Sequence, residues 1–181
     1  MKYIHYIILS ALMLLSSCGN KKIADEILKM QSRPIDLTAC EDAVCYENGE
    51  RAAYYSNADS AYKLIIYIDS ASCSPCFVSH MLDYMGAVVD LDSVGVNTLF
   101  IFEPKQEQKE NLESSLAQLA YPLRAIVVPN GSFSSVNPHL PSSTLLHSFL
   151  LDKENKVIVV GNPARNDKVK ELMLNTVRNR E

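Results

Sequence analysis

The chain has no tryptophan and no basic stripe: 17 lysines and arginines are spread among 21 aspartates and glutamates, for a net charge of −4. A nucleic-acid partner would call for clustered positive charge or aromatic platforms along it, so no nucleic acid is expected among its partners. No segment repeats at a fixed period, which argues against solenoids and propellers, and no long low-complexity tract marks a disordered region. The apolar run Tyr6 to Leu15 is too short to cross a bilayer as a mature helix.

That run instead belongs to an export signal. Lys2 supplies the positive start, Tyr6-Ile-Ile-Leu-Ser-Ala-Leu-Met-Leu-Leu15 the apolar core, and Ser16-Ser17-Cys18-Gly19 the small residues at its end. Leu15-Ser16-Ser17-Cys18 resembles the lipobox of bacterial lipoproteins, which implies cleavage after residue 17 and a lipid such as palmitate on Cys18. An ordinary signal peptide or a retained N-terminal anchor would export the chain equally. No acidic run follows Cys18, which favours the periplasmic face of a bacterial membrane over the cell surface. The remaining length suits a single domain, read here as residues 35–181, with 18–34 as anchor and tether.

With Cys18 assigned to the anchor, four of the five cysteines remain, Cys40, Cys45, Cys73 and Cys76, in a disulfide-permissive chain. Cys40 and Cys45 most simply close a local structural disulfide. A zinc site made by all four cysteines and an electron relay between the two pairs are the alternatives. Cys73-Ser-Pro-Cys76 is more telling, because it joins the apolar, β-rich run Tyr62 to Ile68 to an amphipathic stretch. Pro75 fits the first turn of a helix, where its missing N–H is not needed. A cysteine at a helix start faces unpaired N–H groups and is stabilised as thiolate, the form that attacks disulfides.

The periodicity predicts a short helix over Ile23 to Met30, ended by Arg33-Pro34, and an edge strand at Ile35 to Leu37. Beyond the strand at Tyr62 to Ile68, a helix is predicted from Ser74 to about Leu91, a strand at Asn97 to Phe102 and a second helix at Gln106 to Leu119. A strand at Arg124 to Val128, a loop or short helix over Ser134 to Ser143, a hairpin of Leu145 to Leu151 with Val157 to Gly161, and a helix from Asp167 to Asn179 complete the chain. The βαβ order calls for a parallel crossover.

Strand, Cys-Ser-Pro-Cys, helix, strand, helix, hairpin and final helix resemble the thioredoxin fold, and more closely the TlpA-like thiol:disulfide oxidoreductases, over roughly residues 60 to 180. Phe149-Leu-Leu-Asp152 and Lys156-Val-Ile-Val-Val-Gly161 look like their hairpin. The resemblance implies an α/β fold with a central mixed sheet flanked by helices. It implies Cys73 as attacking thiolate, Cys76 as resolving thiol, no cofactor, disulfide-bearing exported proteins as substrates and a membrane electron donor as partner. Three departures stand out. The cis-proline position falls on Leu146, the tryptophan before the first cysteine is Ser72, and the acid that many relatives bury beneath the cysteines falls near Tyr67, whose ordinary pKa of about 10 bars it as a base at neutral pH. A trans peptide or a shifted loop is expected at Leu146, since a non-proline cis bond costs about 3–4 kcal/mol.

Asp69, His80 and Glu103 are the candidate proton acceptors. Each also has a plainer reading: Asp69 as cap of the turn, His80 on a solvated face, Glu103 as a strand-end charge. His147 lies beside the position that normally faces the cysteines, and a histidine with two cysteines can hold copper or zinc. Copper chaperones of oxidase assembly use such a trio on this fold, spaced Cys-x-x-x-Cys. A redox-inactive or metal-binding scaffold is therefore the competing reading.

Overall fold

The computed structural model of the protein describes residues 21–53 and 62–180. The export signal and Cys18 lie outside the described residues. Helix α1 spans residues 21–31, and a 3-10 turn follows at Thr38–Cys40. The strands are β1 (Val44–Glu47), β2 (Glu50–Ala52), β3 (Tyr62–Ile68), β4 (Val96–Phe102), β5 (Arg124–Val127), β6 (Ser148–Leu151) and β7 (Val157–Val160). The remaining helices are α2 (Ser74–Val78), α3 (Met85–Asp92), α4 (Gln106–Ala117), α5 (Ser132–Val136) and α6 (Asp167–Arg178).

One seven-stranded mixed sheet runs in the order β2-β1-β5-β4-β3-β6-β7. Strands β3, β4 and β5 are parallel, as the crossover rule requires, and β6 joins β3 antiparallel with Ile65 opposite Phe149. Every residue of β3 is buried, the signature of a central strand covered on both faces. Alternation sends Leu64, Ile66 and Ile68 to one face, with Phe100 and Phe102, against Val78, Leu112 and Met173 from helices α2, α4 and α6 and Tyr84 from the turn between α2 and α3. Ile65 and Tyr67 go to the other face, with Met30 of α1, Cys40 and Phe133 of α5. Met30 is fully buried, so the end of α1 packs into the core.

Three local expectations are corrected. The single helix expected from Ser74 to Leu91 is broken: α2 stops at Val78, a 3-10 turn covers Met81–Tyr84, and α3 follows. Ser79 donates its hydroxyl to the Cys76 carbonyl, and the backbone tightens through His80 N–H to Phe77 O at 2.9 Å. Val78, Met81, Tyr84 and Ala87 are buried at intervals of three, the period of the tighter helix, which leaves Leu82 and Val89 exposed.

The expected edge strand at Ile35 to Leu37 does not form. Asp36 turns the chain by accepting the Thr38 N–H and hydroxyl at 2.9 and 2.6 Å, and the Asn137 amide clamps the Asp36 backbone by giving and taking a hydrogen bond of 2.8 Å each. The added pairing comes instead from the β1–β2 hairpin, whose Asn48-Gly49 turn has φ of 54° and 77°.

The expected Cys40–Cys45 disulfide is also absent: both are buried free thiols, Cys40 ending the 3-10 turn and Cys45 in β1. Burial pushes the Cys40 thiol up to about 12, helped by Cys45, Glu41 and Asp36, and burial raises Cys45 against the opposing charge of Arg124.

Candidate functional site

Strand β3 ends at Ile68, and Asp69 then fastens the turn that delivers the cysteines: its carboxylate accepts the Ser72 N–H at 3.1 Å and the Ser72 hydroxyl at 2.7 Å. Cys73 caps α2 in an extended conformation with Pro75 in the first turn, and Phe77 N–H closes onto the Cys73 carbonyl at 3.0 Å. Phe77 anchors this short helix to the sheet through Tyr84, Phe100 and Phe102, with ring centroids 5.8 to 6.4 Å away. Cys73 and Cys76 are bonded to one another, with Cα atoms 5.3 Å apart. Both are exposed. The second cysteine is thus at the surface as well.

The three candidate proton acceptors do other work. Asp69 is the cap just described. His80 is exposed, and its Nδ1 lies 3.5 Å from the Asp83 carboxylate. Glu103 is 1% exposed at the end of β4, where Oε2 accepts the Tyr67 hydroxyl and Oε1 accepts the N–H groups of Phe133 and Ser134 at 2.8 and 3.3 Å. It pins Tyr67 and the start of α5 together, and none of these hydrogen bonds reaches a cysteine. Burial, followed by the Glu103 carboxylate, raises the Tyr67 phenol well above its ordinary value, so Tyr67 stays protonated.

His147 sits just before β6, where its backbone carbonyl accepts the Tyr67 N–H at 2.8 Å and its ring packs against Tyr67 with centroids 4.8 Å apart. Its Nε2 donates to the Pro141 carbonyl at 2.9 Å, which leaves Nδ1 buried and without a partner. The preceding turn, Thr144–Leu146, is a 3-10 segment, and no cis peptide occurs among the described residues. Both sulfurs of Cys73 and Cys76 are in a disulfide, and no three metal-binding side chains converge among the described residues. The copper or zinc trio is not assembled in this disulfide form.

A groove of about 250 Å³ opens between α2 and the loops at either end of the β6–β7 hairpin, walled by Ile66, Phe77, Tyr84, Leu145, Asn162 and Arg165. Asn162 and Arg165 carried no signal at the level of sequence; the Asn162 amide donates to the Tyr84 hydroxyl at 2.7 Å and so ties the loop after β7 to the turn after α2.

This arrangement of strand, exposed Cys-x-x-Cys, helix, and hairpin beside the cysteines agrees with solved structures. A thiol:disulfide interchange protein DsbE from Chlorobium tepidum aligns with a TM-score of 0.52 at 14% identity, covering 80% of this chain and 98% of that one. The protein has a thioredoxin-like fold. A thioredoxin-like protein solved in its oxidized form aligns at 0.53 and 14% identity, covering 81% and 97%. Yeast Sco1 with copper bound aligns at 0.50 and 11%, covering 77% and 93%. Neither family models nor curated proteins match the chain. No described helix is long and apolar enough to cross a membrane.

Proposed function

We propose that the thioredoxin-like chain is an exported thiol:disulfide oxidoreductase that reduces or exchanges disulfides in extracytoplasmic proteins, anchored by lipid on Cys18 at the periplasmic face of a bacterial membrane. The observation that carries this reading is the exposed Cys73–Cys76 disulfide at the start of α2. In the reduced protein, the Cys73 thiolate attacks one sulfur of a substrate disulfide, forming a mixed disulfide and expelling the first substrate thiolate. Cys76 then loses its proton and attacks the Cys73 sulfur, expelling the second. Two electrons pass to the substrate, which leaves as two thiols, and the protein is left with the disulfide seen here. A dithiol donor at the membrane reverses the step by the same chemistry.

Within the first turn of α2 the N–H groups of Ser74 and Cys76 have no partner in the helix and favour negative charge on the Cys73 sulfur. Because Cys76 is exposed, solvent accepts its proton and no buried base is needed. The competing reading, a metal-loaded scaffold, draws no support from the disulfide form, in which no three metal-binding side chains converge among the described residues.

The test is the equilibrium of the Cys73–Cys76 pair against glutathione, read by thiol trapping with Cys40 and Cys45 intact and again with both changed to serine. A reversible two-electron transition near about −270 mV identifies a reductant, and one near about −120 mV an oxidant. A pair that does not exchange, or thiols held by stoichiometric metal, refutes the oxidoreductase reading.

A further inference from the structure

The groove beside the disulfide differs in charge from the rest of the chain. The protein carries a net charge of −4, yet among the described residues no carboxylate lines this groove, whereas Arg165 does. Arg165 is exposed and has no carboxylate partner among the described residues. Its place is set by a tight turn: the Asn162 side chain accepts the Ala164 N–H at 2.9 Å, the Arg165 N–H bonds the Asn162 carbonyl at 3.3 Å, and the Asn162 amide holds the Tyr84 hydroxyl. Arg165 and Tyr84 line the same groove, so the guanidinium charge belongs to its wall.

Leu145, 78% exposed, lines the same groove, a large apolar side chain held out on the 3-10 turn before β6. Ser72 and Phe77, which bracket the two cysteines in sequence, close the same groove. A cation and an exposed leucine on the walls, together with the residues that flank the disulfide in sequence, complement one kind of occupant.

Resting on the redox reading above, we infer that this groove selects cysteine-bearing protein segments in which an acidic side chain lies beside an apolar one, with Arg165 as the specificity-determining residue and Leu145 as the apolar contact. Opposite charges at a recognition surface raise the association rate and like charges lower it, so selection acts on the attack of Cys73 and weakens as salt rises.

The test uses the pre-reduced full chain and three peptides, each holding a cysteine as its mixed disulfide with neutral 2-thiopyridine and flanked by Leu and Glu, Leu and Gln, or Leu and Lys. Attack of Cys73 on the peptide sulfur releases pyridine-2-thione, read by absorbance, and Cys76 then releases the peptide thiol. The expected second-order rates run Glu above Gln above Lys, with the extremes about 10-fold apart at low salt and about 3-fold or less at high salt. Arg165→Gln brings the three together, Arg165→Glu inverts their order, and Leu145→Ser slows all three while keeping it.

Equal rates for the three peptides in the unaltered protein overturn the inference, as does a preference that survives both Arg165 variants. An unchanged rate in Leu145→Ser removes Leu145 from it. The neutral small disulfide 2,2′-dithiodipyridine separates the two levels: a protein that reacts with it but shows no peptide preference refutes only the selectivity, whereas one that reacts with none of the probes refutes the redox reading and the inference together.

Discussion

Replacing Glu103 separates a structural acid from a catalytic one. Its carboxylate holds three donors: the Tyr67 hydroxyl and the N–H groups of Phe133 and Ser134, the last at the long distance of 3.3 Å. Tyr67 is 6% exposed and Phe133 fully buried, so Glu103→Ala strands two strong donors away from water. Each stranded donor costs about 1–3 kcal/mol, which gives a loss of about 2–6 kcal/mol for the two, a large share of the stability of a domain this size. Glu103→Gln keeps one oxygen for Phe133 and turns its NH2 toward the Tyr67 hydroxyl, which can accept, so its loss is about 1–2 kcal/mol. Urea unfolding followed by circular dichroism measures both.

The same variant then answers the chemical question. A general base contributes about 100-fold or more, so if Glu103 took the proton from Cys76, Glu103→Gln would lose about that factor in exchange rate under conditions where it is fully folded. With Cys76 open to solvent and Glu103 bonded only to Tyr67 and the start of α5, the rate stays within about 3-fold of the unaltered protein, well short of that factor. A folded Glu103→Gln that loses 100-fold refutes the assignment, and so does a Glu103→Ala as stable as the parent.

Other outcomes follow from single residues. Cys73→Ser abolishes disulfide exchange and leaves the urea midpoint of the reduced protein unchanged within about 0.5 kcal/mol, because its side chain is exposed; residual two-electron exchange would contradict the roles given to the pair. Cys40 and Cys45 resist iodoacetamide in the folded protein at pH 8, since both are buried and their thiols are raised, and react on unfolding; mass spectrometry locates the label, and rapid native labelling would overturn their burial. His139 is 3% exposed with neither ring nitrogen bonded, and burial, then Arg33 and Lys29, lower its pKa. The unfolded chain therefore binds a proton that the folded one refuses: this contribution to stability is present above about pH 6.5, the ordinary histidine value, and is lost as pH falls below it. His139→Phe should flatten the urea midpoint between about pH 5 and 7, and an unchanged slope refutes the reasoning. Gly49→Val forces a β-branched residue to φ of 77° with its Cβ 2.9 Å from the Ala117 carbonyl, a loss of about 1–3 kcal/mol; an unfolding midpoint equal to the parent's would refute it.

Legibility in the sequence followed the strength of each signal. Tyr62 to Ile68, the hairpin around Asp152 and α6 were readable because their burial repeats along the chain: Val169, Met173 and Val177 return at helical spacing, and β3 is apolar wherever it can be. The fold followed from their order. The break after α2 was hidden because a 3-10 turn keeps apolar residues near helical spacing, and only the choice between Met81 and Leu82, or Tyr84 and Met85, tells the two apart. The β1–β2 hairpin carries a signal of its own, the dipeptide Asn48-Gly49, set close to two cysteines that invite a different reading. Asn137, which does the work expected of an edge strand at residue 36, acts from 101 positions away and leaves no local trace.

The site divides along the same line. Cys73 and Cys76 announce themselves through spacing and Pro75, whereas Tyr67, Glu103 and His147 acquire their roles only when β3, β4 and the turn before β6 are set side by side. A buried acid beneath a Cys-x-x-Cys pair answers a particular need, that of a resolving thiol shielded from water. Here Cys76 is exposed, so the need is met by solvent, and the strand position that could hold an acid is free to hold Tyr67. The interior carboxylate near Tyr67 comes from the end of the next strand, where Glu103 accepts from Tyr67 and from the start of α5. Tyr67 and Glu103 thus act as one pair that ties β3, β4 and α5 together, while the proton of the exposed Cys76 is left to solvent.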